Sequence, residues 1–121
     1  MVREYGIRPL WIGYDPWNSQ YWVKEMEDSG FTMEKIIQGI YTLSEPMKQL
    51  EGDLKNKLVI YDNNPILKWC FSNTQAKVDV NGNIQPSKLN SKLKRIDGCV
   101  ALIIAYAVLN RYKIEYENMI S

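Results

Sequence analysis

Histidine is absent from the 121 residues. Without an imidazole, Ser-His-Asp and Cys-His nucleophilic catalysis are excluded, and so are the usual His-containing zinc sites. Cysteine is scarce. Cys70 and Cys99 stand far apart, form no Cys-x-x-Cys, and each lies in an apolar stretch, so both read as reduced core residues of a cytoplasmic protein. No glycine-rich phosphate loop or Walker-type lysine is present, so ATP is not bound by that route. Long apolar runs are lacking too. The longest uncharged one, residues 99–109, is too short to span a bilayer and reads as a helix buried in a protein core. No signal peptide or membrane segment is visible. Acid–base or metal chemistry must therefore come from Asp and Glu.

Net charge is +1, so any nucleic-acid surface must come from local segregation of charge. One segment does this: Lys88, Lys92, Lys94 and Arg95 occur with no acid between Asp79 and Asp97. The length and the apolar fraction fit one ordinary globular domain, residues 1–121.

The chain alternates strand and helix signals. Residues 9–14 form an apolar run closed by Asp15-Pro16, as expected of a strand buried on both faces with Asp15 as the N-cap of the next helix. Residues 17–28 read as that helix, with Trp17, Tyr21, Trp22 and Met26 near one face and Glu25, Glu27 and Asp28 on the wet face; residues 33–38 read as a second strand. That order implies a right-handed crossover onto a parallel neighbour. Thr42-Leu-Ser-Glu45 has capping-box form, and Met47, Leu50, Leu54 and Leu58 recur at helical spacing, which places a helix over 45–57. Residues 58–61 could be a short extended piece. Asn64-Pro65 starts a helix to about residue 72, and Asn81-Gly82 signals a hairpin with a tight two-residue turn, ended by Pro86. The core helix is expected over 94–111. Trp17, Trp22 and Trp69 are assigned to the core rather than to stacking platforms.

Two carboxylates invite chemistry. Asp15 lies at the carboxyl end of a strand, where open α/β sheets bind ligands, although a plain helix cap explains it as well. Asp97 stands in the first turn of the most buried helix beside cations. Its plain reading is a carboxylate favoured by the helix dipole and paired with Arg95 or Lys94. The sharper reading brings Asp15 and Asp97 to one sheet edge, where Mg²⁺ or Mn²⁺ would relieve their repulsion and support phosphodiester cleavage. The basic cluster, otherwise a solvated loop, would then hold a phosphate backbone, with Lys88 reaching the scissile phosphate.

Four features in order carry a resemblance: Tyr14-Asp15-Pro16-Trp17; Gln38-Gly39 with Leu43-Ser44-x-Pro46; Asn64-Pro65-x-x-x-Trp69-x-x-x-Asn73; and Lys88 with Arg95-Ile96-Asp97-Gly98-x-x-Ala101-Leu102. With them the sequence resembles the C-terminal, nuclease part of the large terminase subunit of tailed bacteriophages. The resemblance implies a ribonuclease-H-like α/β fold, here truncated: a parallel or mixed sheet flanked by helices, with a small β-hairpin insertion. It also implies metal-dependent cleavage of concatemeric double-stranded DNA during genome packaging in the host cytoplasm. Portal and small terminase subunit would be partners of the full protein, and ATP would serve only an upstream domain. Of the family's three catalytic acids, the second matches Asp15 and the third Asp97, and Lys88 matches the basic residue ahead of the third. The first acid belongs to a strand before this chain's start. The chain is therefore expected to be a fragment that cuts DNA poorly or not at all. Two other readings remain: a non-catalytic DNA-binding or assembly module of the same fold, self-associating through an exposed sheet edge, and an unrelated small α/β binding protein.

Overall fold

The computed structural model describes residues 9–17, 19–88 and 95–120. The first strand, β1 (Ile12–Tyr14), is followed by helix α1 (Gln20–Asp28) and strand β2 (Met33–Lys35). The strands pair in parallel, Gly13 opposite Glu34, so β2 is the parallel neighbour expected after the α1 connection. Helix α2 (Ile40–Lys55), helix α3 (Pro65–Asn73), the antiparallel hairpin β3 (Thr74–Val78) with β4 (Ile84–Lys88), and the long helix α4 (Asp97–Ile120) complete the order.

Helix α4 is the centre of the packing. Ile103 is fully buried, and Cys99, Ile104, Ala107 and Val108 join Leu43, Met47 and Leu50 of α2 and Cys70 of α3 in one core. Both cysteines are free thiols in that core, as expected. Among the described residues, buried side-chain polar groups are satisfied. The Ser44 hydroxyl accepts the Ile84 N–H at 3.0 Å, tying α2 to β4, and Tyr106 donates to the Asp53 carboxylate at 2.6 Å. Burial, reinforced by Asp53, pushes the Tyr106 pKa up to about 12. No helix among the described residues is long and apolar enough to cross a membrane.

Several local readings need correction. Helix α2 starts at Ile40 rather than residue 45 and contains Pro46. An internal proline costs roughly 3 kcal/mol, and the burial of Leu43 in the turn before it and of Pro46 itself offsets part of that cost. The hairpin does not turn on a two-residue Asn-Gly loop. Asp79 draws in the backbone N–H groups of Asn81 and Asn83 at 2.9 and 2.8 Å, closing a loop over 79–83 in which Gly82 takes the positive φ of 80°. Pro86 continues β4 opposite Ala76, which a strand with an open edge tolerates. The second strand ends at Lys35, and residues 58–61 form no strand. Helix α1 buries Val23, whereas Trp17, Trp22 and Trp69 are exposed rather than core. Its wet face is as expected: Glu25, Glu27 and Asp28 are exposed. Trp11 is the tryptophan that packs well, stacked on Tyr112 at 4.7 Å and 7°.

Helix α4 also runs past residue 111 to Ile120, with non-helical angles at Tyr112 (φ −118°, ψ 16°). An anchor sits at that kink. Tyr112 donates to Glu34 at 2.6 Å, and Arg111 pairs with the same carboxylate at 2.6 Å while also donating to the Lys35 carbonyl at 3.0 Å. The Tyr112 hydrogen bond, opposed by burial and helped by Arg111, holds the Glu34 carboxyl below its ordinary value of 4.5. A depressed carboxyl pKa stabilises the fold above the unfolded value, and that contribution is lost as pH falls through the folded value. Glu34→Gln is therefore expected to lower the urea midpoint at pH 7, and the gap to wild type should close as acid protonates the carboxyl. A gap unchanged by acid would refute this.

Candidate metal centre and nucleic-acid interface

Asp15 leaves the end of β1 partly buried. Its Oδ1 accepts the Trp17 N–H at 3.1 Å, and its Oδ2 accepts from Gln38 Nε2 at 2.8 Å. The carboxylate therefore closes a local turn and does not cap α1, which begins at Gln20 after Ser19. Ser19 donates instead to the Asp15 carbonyl at 2.7 Å. Gln38 reaches Asp15 because the parallel pairing carries the chain past Tyr14, whose carbonyl accepts the Ile36 N–H at 2.9 Å. Sequence reasoning assigns Gln38 no role of its own. Its signal is the register of the crossover, which brings the residues after β2 beside those after β1.

Asp97 is the first residue of α4 and is exposed. The turn around it is pressed onto α3: a Cβ on Gly98 would lie 3.0 Å from Leu67 Cδ1 and 3.4 Å from Cys70 Sγ. The buried Asn73 at the end of α3 donates from Nδ2 to the Arg95 carbonyl at 3.0 Å. The next residue, Thr74, is the β-partner of Lys88. The backbone at Lys88 and Arg95 thus meets the end of α3, and the turn that carries Asp97 packs beside it on Leu67 and Cys70. Lys92 and Lys94 lie outside the described residues.

Asp15 is directed toward the same end of the molecule. Trp11 meets Tyr112, and a Cβ on Gly13 would meet Val108 and Ile104, so β1 runs antiparallel to α4 and its carboxyl end heads for the helix's first turns. Carboxylates are the right donors for a hard cation, which takes about six or more oxygens. Among the described residues, however, no group of three or more candidate ligands forms. The donor type fits Mg²⁺ or Mn²⁺.

Comparison with known proteins agrees with this architecture. Residues 8–112 match the family model for the terminase large subunit, endonuclease domain. The chain belongs to that family. A relative, Protein YmfN of Escherichia coli (strain K12), is 35% identical over 94 residues, covering 75% of this chain and 20% of YmfN. The crystal structure of the HK97 bacteriophage large terminase superposes with a TM-score of 0.73 at 22% identity, over 88% of this chain and 22% of that one. The terminase-family chain thus spans about a fifth of the length of each. Its fold is ribonuclease-H-like, built here from small sheets flanked by helices.

Proposed function

We infer that this chain is part of a metal-dependent endonuclease that cuts concatemeric phage DNA during packaging, and that alone it cuts weakly or not at all. Asp15 and Asp97 serve as ligands for Mg²⁺ or Mn²⁺, and Lys88, Lys92, Lys94 and Arg95 take the phosphate backbone. Lys88 is the side chain assigned to the scissile phosphate. The observation that carries this reading is the meeting of the backbone at Lys88 and Arg95 with the end of α3, beside the turn that carries Asp97. Positive charge beside an acid on a helix N-terminus suits a phosphodiester held against a cation. Weak activity is expected of a site with two carboxylates and no third candidate ligand among the described residues. In the full-length protein, portal and small terminase subunit are the proposed partners, and ATP would act in another domain.

A titration with Mn²⁺ followed by NMR tests the assignment. Selective paramagnetic broadening of both Asp15 and Asp97 is expected, lost at both in Asp97→Ala. Plasmid in the same buffer should stay largely uncut. Broadening at neither aspartate would overturn the metal site, and plasmid cleavage abolished by Asp97→Ala would overturn the inactivity. The shortage of ligands favours one other reading, a non-catalytic DNA-binding or assembly module. For that reading DNA affinity should be indifferent to divalent metal.

A further inference from the structure

Beside Asp97 lies a groove of about 670 Å³ between α3, the loop before it and the start of α4, within the roughly 300–1,000 Å³ of ordinary small-ligand clefts. Its walls divide by chemistry. Trp69, 44% exposed, and Ile66 supply apolar surface, and Tyr61 adds a second ring held edge-on by Phe71 at 5.5 Å and 87°. Arg95 and Asp97 stand at the charged side. Asn64 spends its side-chain oxygen on capping α3, accepting from Ile66 and Leu67 at 3.0 and 3.1 Å, which leaves its NH₂ group as a donor.

We propose that this groove is a nucleobase subsite: Trp69 and Tyr61 receive one base unstacked from the DNA strand whose phosphate lies against Arg95. The inference rests on the DNA-cutting reading and extends it from backbone to base. A flat π-system is the occupant that uses both the rings and the charge. Base–aromatic stacking is sequence-tolerant, because every base has a π-face. A nucleotide brings its phosphate to the Arg95 side of the groove and its ring to the tryptophan. Asn64 supplies a donor to a base edge without a demand for one base.

The test is binding of the full chain to a short oligothymidine, without divalent metal, followed by anisotropy over a salt series. Trp69→Ala is expected to weaken binding about tenfold while the slope of log affinity against log salt stays at the wild-type value, and Trp69→Phe should keep most of the affinity. Thermal unfolding of both variants reports whether the fold survives. Trp69→Phe keeps a ring in place, so loss of binding in Trp69→Ala alone supports stacking. Equal affinity of wild type and a folded Trp69→Ala overturns the subsite and leaves the DNA reading standing. Wild type that binds no DNA overturns both. A Trp69→Ala variant that abolishes a concentration-dependent dimer in sedimentation, with DNA affinity unchanged, would assign the groove to a second copy and overturn the proposal.

Discussion

Gly13→Val is expected to lower the stability of the chain by roughly 3 kcal/mol or more, at the top of the usual range for overpacking. Even a bare Cβ at this position would lie 2.6 Å from Val108 Cγ2 and 2.7 Å from Ile104 Cγ2. Those methyls cannot swing away cheaply, because a β-branched side chain in a helix has one strongly preferred χ1. Both residues are also buried in the core. The strand must therefore lift from α4, and the displacement reaches Asp15, which is two residues on. Urea unfolding should show a lower midpoint. The Mn²⁺ response at Asp15 should weaken in whatever fraction stays folded. Gly13→Ala is expected to show a smaller form of the same loss. An unchanged midpoint for Gly13→Val would mean that β1 and α4 are not in this contact.

Replacing Lys88 and Arg95 together by alanine is expected to weaken DNA binding roughly 100-fold at low salt and to flatten the log–log salt dependence by about two. Each cation that neutralises a phosphate releases about one counterion, so the slope counts contacts and the intercept measures their sum. Both residues are exposed, and thermal unfolding of the double variant reports whether the fold survives. The backbone hydrogen bond from Asn73 to residue 95 survives the change of side chain. The contrast with Trp69→Ala is diagnostic, since loss of stacking lowers affinity at constant slope whereas loss of charge lowers both. A double variant with wild-type slope would remove Lys88 and Arg95 from the interface.

The features legible in the chain had local causes. Asn64-Pro65 starts α3 as expected because the cap and the pre-set φ act within a few residues: the Asn64 side chain accepts from Ile66 and Leu67. The crossover between β1 and β2 is foreshadowed by the order of short apolar runs. The apolar stretch 99–109 became the buried part of α4. The failures share another cause. The start of α2 is misplaced because Thr42-Leu-Ser-Glu45 has the form of a capping box, and only the burial of Leu43 and Ser44 reveals the earlier turns. Residue type places the tryptophans inside, yet exposure depends on whether a partner surface faces them. Trp11 found Tyr112, and Trp17 and Trp69 found no comparable cover.

The same division applies to the site. Residue types alone excluded histidine chemistry and showed that positive charge collects just ahead of Asp97, since both are matters of composition and neighbouring positions. Which groups meet was decided by tertiary structure. Gln38 reaches Asp15 through the parallel register, Glu34 is gripped by Arg111 and Tyr112, and Asn73 holds residue 95 at the end of α3, next to Thr74, the strand partner of Lys88. Such pairings join residues far apart in the chain, and their geometry exists only once α4 has packed across the strands and helices that carry them.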